Sequence, residues 1–557
     1  MEDFKEYIVT AKTHECLECL YQDLETLGGS ETIPEREVEC CNRRSFSRNT
    51  HYLLTSEESE KLILDDRVLA VTDIDLLRSV KVEPHYERSS SLWNKGASQV
   101  VTHDNWSILR CERGEQIYGW GNDGIPNQTG IITTTSSGKN VDVVIVDGLI
   151  DPDNPEFAKN ADGTGGTRVI QYNWLGYVGG NYDYSKLNYS DGINSTEAGQ
   201  NDHGSSVAST AAGNTLGWAV DANIYNIYPY GSIGSNADLS WSTIIDHIRH
   251  FHNNKVVNPI TGVKNPTIVN NSWGSFITLN KSNIEWINWR GTRYNGPFTD
   301  EQLQSYGISL ESITSTTVRV LFYSVIQEVD MEDAVNDGII FVGSAGNEGY
   351  KIDKEQGIDG NNSIRGQSFY SGSSYTLSYH KGSVNTTAHS YNNGTEYSIC
   401  VGATNASVVE AKRAFSNCGP RVNVYAPGTN IQVSKQIVGA NIDPRSPGVA
   451  YFKEKVNGTS SSSPIVTGLI ACLLEQYPRL KQADVKNYIE TYWKYNQLLD
   501  SGGGYTDENS LQGGLNIHAF YKKERKLSGL TQPKVEYWKR ATSGNVWPRR
   551  NMVTFGR

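Results

Sequence analysis

The sequence predicts an α/β protein, in which a largely parallel sheet packs between helices, with a smaller α+β domain before it and a C-terminal extension after it. Three observations support this prediction. Val143–Val146 is a run of β-branched residues typical of a buried parallel strand. The apolar run Ile465–Leu474 follows a polar turn and is typical of a buried helix. Residues 5–75 show a β-α-β-β-α-β order of elements.

The N-terminal segment, residues 1–78, is predicted to be a ferredoxin-like domain because turn and capping residues separate its apolar stretches. Thr13 is a suitable helix N-cap, and Thr55 with Glu58 has the spacing of a capping box. A linker, residues 79–101, follows it. The strands are expected at Tyr7–Thr10, Glu37–Cys41, Asn49–Leu54 and Val68–Thr72, and the helices at Thr13–Leu27 and from Thr55 onward.

Asp147 ends the predicted strand Val143–Val146, at the edge where open α/β sheets carry their functional groups. Taken alone, an aspartate that merely terminates a strand explains this position better.

His203 precedes a run of small residues, Gly204–Gly213, which suits a tightly packed helix. Asp202 and Ser205 flank the expected N-terminus of that helix, as capping chemistry prefers. Most of the eleven histidines are expected to be structural or on the surface. His203 differs because a helix of small residues lets it approach neighbouring backbone closely.

Asn347 lies in a small-residue turn after the predicted strand Gly338–Val342. An Asn in such a turn usually serves its left-handed backbone conformation. The alternative is that its side-chain amide donates a hydrogen bond to an oxyanion.

Ser460 lies in the polar turn before the helix Ile465–Leu474, with Pro464 in the first turn of that helix. A serine at a helix N-terminus is favoured as a nucleophile because the helix dipole and free N–H groups stabilise negative charge. A Ser-rich turn alone is more often a polar loop.

Asp147, His203 and Ser460 occur in the order found in subtilisin. The segments around these residues resemble the subtilase family. Leu54–Glu58 resembles part of the propeptide inhibitor domain of that family. The resemblance implies a subtilisin-like catalytic domain over residues 102–520, preceded by a propeptide. The segments are His203–Ala208, Asn271–Gly274, Ser344–Gly349, Tyr425–Gly428 and Gly458–Pro464.

The resemblance implies a serine endopeptidase that hydrolyses protein or peptide substrates. Ser460 would be the nucleophile, His203 the general base, Asp147 its orienting partner and Asn347 an oxyanion donor. The pocket walls would be Ser272, Trp273 and Gly274 on one side and Ser344, Ala345 and Gly346 on the other, with Trp273 favouring apolar side chains.

The resemblance implies no required cofactor and no catalytic metal, although calcium is a common structural ion in the family. Asp151–Asn154 and Asp359–Asn362 are rich in oxygen ligands, but neither has a recognisable calcium-loop pattern. The propeptide-like domain is expected to be retained over the cleft, with any cut between Leu76 and Val101.

Two residues depart from the family pattern directly after the aspartate. Gly148 and Leu149 stand where the family has Ser or Thr and then Gly, so one hydroxyl that would hold the Asp147 carboxylate is missing. We therefore expect restrained activity on an intact fold.

The eight cysteines show no obvious disulfide framework. Partly buried free thiols are favoured over a zinc site at Cys16, Cys19, Cys40 and Cys41, since adjacent residues rarely bind one tetrahedral ion together. Pairing of Cys400 with Cys418 stays open.

Charge is unevenly spread along the 557 residues. The tail, residues 521–557, carries ten Lys and Arg against two Glu, a net +8, which leaves −20 for the rest of a chain whose total is −12. Interleaved aromatics allow binding to nucleic acid, but docking on the acidic body or on a protein partner is favoured. No apolar run has the roughly 18 residues of a membrane span.

A second hypothesis is a structural or interaction protein on the same fold. Gly138–Gly148 and Ser543–Arg550 resemble subtilase-domain proteins carried by tailed bacteriophages. Met1–Lys5 has no features of a secretory signal, so a virion protein or release by lysis is expected. The two hypotheses are compatible, because a virion component can also be a protease.

Overall fold

A twisted, mostly parallel β-sheet forms the centre of the computed structural model, and the α/β class expected from the sequence is confirmed. Residues 523–557 of the basic tail and part of the long stretch between Asp162 and Gln200 lie outside the described residues. The structure describes residues 4–522 except 27–28, 45–46, 76–80, 85–86, 93–104, 117–133, 171, 173, 175–197, 229–240, 384–395, 408, 437–442, 444 and 446–450.

The N-terminal elements follow the predicted β-α-β-β-α-β order and form an antiparallel sheet of order β2-β3-β1-β4. Thr13 caps α1, and Thr55 with Glu58 forms the expected capping box. The second strand begins three residues and ends two residues later than predicted, and α1 ends at Leu24 instead of Leu27. The elements are β1 Lys5–Ala11, α1 His14–Leu24, β2 Cys40–Arg43, β3 Asn49–Leu54, α2 Ser56–Leu62 and β4 Val68–Asp73.

Two short strands follow the N-terminal sheet and pair with strands much later in the chain. Strand β5, Lys81–Pro84, and strand β6, Glu87–Leu92, are separated by two residues.

The central sheet has the order β20-β21-β17-β16-β13-β9-β7-β8. Strand β7, the first strand of this sheet in chain order, is buried on both faces. Val143 and Ile145 belong to one hydrophobic cluster, and Val144 and Val146 belong to another. The strands are β7 Asp142–Val146, β8 Asn223–Ile227, β9 Thr267–Asn271, β13 Ile340–Ser344, β16 Ile399–Thr404, β17 Val424–Pro427, β20 Lys494–Tyr495 and β21 Ile517–His518.

Helices cover both faces of the central sheet. Helices α4 and α8 pack together over the cluster that contains Val143, and α5 contributes to the cluster that contains Val144. The helices are α3 Trp106–Arg113, α4 Ala198–Ala212, α5 Trp241–Asn254, α6 Asp300–Ser305, α7 Val325–Asp337, α8 Thr459–Gln476 and α9 Gln482–Tyr492.

A second sheet is built around one long strand, β10, with which several shorter strands pair. It has a hydrophobic core of its own. Strands β14 and β15 form an antiparallel hairpin within this sheet. A further hairpin, β18–β19, lies beside the central sheet. The strands are β10 Trp273–Trp289, β11 Thr292–Asn295, β12 Thr317–Leu321, β14 Ser363–Ser368, β15 Ser374–Ser378, β18 Ile431–Gln436 and β19 Tyr451–Asn457.

Buried ion pairs join the N-terminal sheet to α5 and α7. Arg44 Nε lies 2.7 Å from Asp246 Oδ2, and its Nη1 lies 3.3 Å from Asp330 Oδ2. Ser47 Oγ and Asn49 Nδ2 donate to the two oxygens of Asp330 at 2.6 and 3.0 Å. Burial alone would lower the pKa of Arg44, but the two carboxylates raise it above its ordinary value. This contact places the N-terminal sheet firmly on the body of the protein.

None of the helices within the described ranges combines the length and the apolarity needed to cross a bilayer. All eight cysteines are free thiols, so Cys400 and Cys418 are not bonded to each other. Burial raises the pKa of the Cys418 thiol to about 11.

Candidate active site

Asp147 and His203 are in direct contact at the carboxyl edge of the central sheet. His203 Nδ1 donates to Asp147 Oδ1 at 2.5 Å, and both side chains are buried. The backbone N–H of Gly148 donates to the same oxygen at 2.6 Å. Asp147 Oδ2 is buried and has no hydrogen-bond partner among the described residues. The carboxylate is therefore held through one oxygen, at the position where the sequence lacks a hydroxyl.

His203 lies in the second turn of α4, whereas the sequence analysis expected it at the helix N-terminus. The helix begins earlier because Ala198–Asp202 is also helical. A Cβ on Gly204 would overlap the carbonyl oxygen of Gly148, so only glycine lets the helix pack this closely on the turn after β7. This close packing brings His203 to Asp147.

Ser460 is the second residue of α8, which begins at Thr459 after Gly458 with φ of 149°. The expectation that Pro464 occupies the first turn is wrong, because the helix starts five residues before it. Pro464 has no N–H to donate to the carbonyl four residues earlier, which belongs to Ser460. Ser272 Oγ donates to that carbonyl at 3.0 Å and so replaces the missing helical bond.

Ser272 and Trp273 connect the two halves of the site. Ser272 contacts Ser460 and Ser463, while Trp273 Nε1 donates to the carbonyl of Val146 at 2.7 Å, one residue before Asp147. The serine helix is thereby tied to the strand that carries the aspartate.

The expectation that the Trp273 ring selects apolar substrate side chains is not met. The side chain is 1% exposed and packs edge-on against Trp241 at 5.2 Å, inside the hydrophobic core. Its indole N–H needs a buried acceptor, and the Val146 carbonyl supplies one, which holds the ring away from the cleft. The backbone of Trp273 and Gly274 pairs with β5.

Asn347 is oriented by Thr459, the residue before Ser460. Its Oδ1 accepts from the backbone N–H of Thr459 at 3.0 Å and from Thr459 Oγ1 at 2.8 Å. Its Nδ2 has no hydrogen-bond partner in the part of the chain that the structure describes. Since the oxygen is fully used, the amide N–H₂ remains as a donor beside the start of α8.

The turn Ser344–Gly346 is held rigidly on the other side of α8. The N–H of Ala345 donates to Val401 at 2.8 Å, and Asn417 Nδ2 donates to the carbonyl of Ala345 at 2.8 Å. Gly346 has φ of 107°, and a Cβ there would overlap Asn417 Nδ2. The turn therefore needs glycine at this position.

Strands β5 and β6 pair with two different strands near Ser460, β10 and β19, and the sequence did not predict either of the two strands. Strand β5 pairs antiparallel with the start of β10, with Pro84 opposite Trp273. Strand β6 pairs antiparallel with β19, with Glu87 opposite Asn457, three residues before Ser460. Lys81–Pro84 is too short for its alternation to predict a strand, because the signal comes from the partner strand.

Both oxygen-rich segments considered for calcium have protein partners. Asp359 Oδ2 lies 2.8 Å from Lys351 Nζ, and its Oδ1 lies 2.7 Å from Arg290 Nε. Asp151 Oδ2 accepts from the Tyr451 hydroxyl at 2.8 Å. Across the described residues, no group of three or more His, Cys, Asp or Glu side chains is arranged to hold a metal ion.

Comparison with known proteins finds that parts of the chain are similar to subtilisins. Subtilisin amylosacchariticus from Bacillus subtilis subsp. amylosacchariticus is 29% identical over 165 residues, which is 30% of this chain and 31% of that protein. Subtilisin from Bacillus pumilus is 28% identical over 165 residues, which is 30% of this chain and 43% of that protein. The matches thus span less than half of each of these two relatives.

Fervidolysin from Fervidobacterium pennivorans, a keratinolytic enzyme related to subtilisin, is a solved structure with a TM-score of 0.46 and 15% identity. That match covers 92% of this chain and 60% of that chain. The model of the "Subtilase family" matches residues 138–513, which include Asp147, His203, Asn347 and Ser460. Because this match spans more than half of the 557 residues, the chain belongs to the subtilase family.

Proposed function

We propose that the protein is a serine endopeptidase in which Asp147, His203 and Ser460 form the catalytic triad. The observation that carries this proposal is the buried hydrogen bond from His203 Nδ1 to Asp147 Oδ1. Ser460 is the second residue of helix α8. With Nδ1 protonated and held, the other ring nitrogen of His203 is the basic one. In this proposal His203 is the base for Ser460, and Asp147 is the carboxylate that orients that base.

In this mechanism Ser460 Oγ attacks a peptide carbonyl while His203 takes the hydroxyl proton. His203 then returns the proton to the leaving amine, and Asp147 stabilises the charged imidazole. Asn347 Nδ2 and the N–H of Ser460 stabilise the oxyanion, since Thr459 occupies the other end of the Asn347 amide. Loss of one such donor costs about 2.7–4 kcal/mol of transition-state stabilisation. No step requires a metal or an organic cofactor.

The test is labelling with a fluorophosphonate probe, which reacts with activated serines. We expect the full chain to be labelled at Ser460 and the Ser460→Ala chain to remain unlabelled. Peptide mapping of the labelled residue checks the assignment. A correctly folded chain that takes up no probe would refute the enzymatic proposal.

We further propose that the N-terminal domain, residues 1–78, is a propeptide that covers the cleft of a catalytic domain, residues 102–520. Strands β5 and β6 flank the start of α8, so the chain between Pro84 and Glu87 is the expected site of a first, intramolecular cut. Intact-mass analysis of the full chain and of Ser460→Ala should show two fragments that meet within residues 84–87 in the first and one chain in the second.

A virion role remains a separate proposal, supported by the basic aromatic tail and by the altered residues Gly148 and Leu149 after Asp147. In it, the protein is a structural component with weak or single-use protease activity, and the tail binds other virion proteins. Co-sedimentation of the chain with assembled particles tests this proposal. Purified particles that lack the chain would rule it out.

A further inference from the structure

The hairpin β18–β19 supports a strand on the far side of the site from β10. The three-stranded sheet has the order β18-β19-β6, so β19 lies in the middle and β6 forms the outer edge. Strand β19 ends at Asn457 and leads directly into Gly458, Thr459 and Ser460. A strand held on β19 is therefore held in fixed register to Ser460.

Chain direction assigns this strand to one side of the scissile bond. In chain order β5 comes before β6, and β5 pairs with Trp273–Phe276 while β6 pairs with Glu454–Asn457. A substrate that pairs with both strands in the same chain order has the residues before its scissile bond on β10 and the residues after it on β19. The second group spans Glu87–Leu92, about 20 Å at roughly 3.3 Å per residue.

The hairpin is a rigid support, because its other contacts go to the protein body. Ile431, Val433 and Val456 are buried in the main hydrophobic cluster. The N–H of Ser434 donates to Ser209 Oγ on α4 at 3.0 Å, and Ser434 Oγ donates to Asn154 Oδ1 at 3.1 Å. These contacts do not involve β6, so the hairpin keeps its position when β6 leaves.

We propose that the outer edge of β19 is a binding platform for polypeptide substrates, which adds about six residues after the scissile bond as an extra strand. This inference rests on the proposed endopeptidase function. Recognition is through backbone hydrogen bonds, so the platform selects extended, unfolded chain over particular side chains. The substrate class is long, flexible polypeptide, and short substrates that end near the scissile bond lose this binding.

The first test uses the self-cleavage reaction of the full chain. Backbone N–H groups of a strand alternate between its two edges, so either Arg88→Pro or Ser89→Pro must remove a donor that faces β19. We expect at least one of the two to slow the appearance of the N-terminal fragment about tenfold or more. Ala97→Pro, beyond the paired strand, is the matched control and should cleave at the normal rate.

Thermal unfolding of each variant shows whether the body of the protein is intact. If both proline variants cleave at the normal rate, the platform does not position the chain. The unmodified chain could be labelled by fluorophosphonate at Ser460 and yet never be cut between Pro84 and Glu87. In that case β5 and β6 do not bind as a substrate does, although the endopeptidase proposal stands. Absence of labelling overturns both.

The second test uses the self-processed protein and quenched fluorescent peptides that share one sequence before the scissile bond. These peptides extend two, four, six or eight residues beyond it. We expect kcat/KM to rise about tenfold from two to six residues and to level off at eight. An activated ester with no residue after the bond reports the intact triad. A flat series alongside normal ester hydrolysis would show that β19 binds only the N-terminal segment.

Discussion

Asp147 is held through one oxygen, because Oδ2 is buried without a donor in the described part of the chain. A buried carboxylate oxygen that lacks a hydrogen bond is costly, and it weakens the orientation of the group. The residue that follows, Gly148, contributes only its N–H. The sequence already indicates that a hydroxyl is missing after Asp147, and in the structure Asp147 Oδ2 is the atom left without a hydrogen bond.

Gly148→Ser should raise the rate of fluorophosphonate labelling at Ser460 several-fold, because a hydroxyl donor is added beside Asp147. A hydrogen bond to a charged group contributes about 1.5–3 kcal/mol. Gly148→Ala is the matched control, since it adds a Cβ without a donor. Equal labelling rates in the two variants would show that Oδ2 does not limit activity.

Ser272→Ala should slow labelling and lower the midpoint of thermal unfolding, because it removes the hydroxyl that donates to the Ser460 carbonyl. The loss of one buried hydrogen bond costs about 0.5–1.5 kcal/mol of unfolding free energy. Ser272→Thr keeps the hydroxyl and should recover most of the loss. If Ala and Thr variants behave alike, the hydroxyl has no positioning role.

At the scale of elements, local signals predicted some boundaries well and others poorly. Strand Asn49–Leu54 was predicted at both ends, because the turn before it and the capping box after it are local. Helix α8 was expected to start near Pro464, but Gly458 and the Ser272 donor allow it to start at Thr459. Strands β5 and β6 exist only through pairing with distant strands, so no local pattern predicts them.

The contact between the N-terminal sheet and helices α5 and α7 depends on Arg44. In a Ser460→Ala chain, Arg44→Met should weaken docking by about 3–5 kcal/mol, because Asp246 and Asp330 stay buried without their cation. Faster hydrogen exchange in β1–β4 measures this effect. Adding Asp246→Asn and Asp330→Asn removes the uncompensated charge and should restore slow exchange. Exchange that is unchanged in Arg44→Met would show that apolar contacts dominate.

At the scale of the whole molecule, four histidines are kept neutral, three of them buried and His252 half-buried. Burial lowers the pKa of His247, His252, His380 and His518 to about 4. His380 illustrates the cause, since its Nε2 donates to the Gly307 carbonyl at 3.0 Å and its Nδ1 accepts from Asn362 Nδ2 at 3.0 Å. A second ring proton would face a donor.

The protein should therefore lose stability in mild acid. Unfolded histidines bind protons below about pH 6.5, while the folded ones resist until about pH 4. The stability contributed by the neutral rings is full above pH 6.5 and declines as the pH falls toward 4. Thermal unfolding of the Ser460→Ala chain across this range measures the decline. His380→Gln should make it shallower, and an unchanged slope would contradict this account.

Strands β5 and β6 also cover backbone hydrogen-bonding groups of the protein. While they are in place, the start of β10 and the end of β19 are paired, and without them both become unpaired sheet edges. Bare edges pair readily with edges of other molecules. After β5 and β6 are released, we therefore expect copies of the protein to associate through these edges, and to do so more at higher protein concentration, until a polypeptide substrate pairs with the edges. Release of the two strands would thus affect the solubility of the protein as well as its activity.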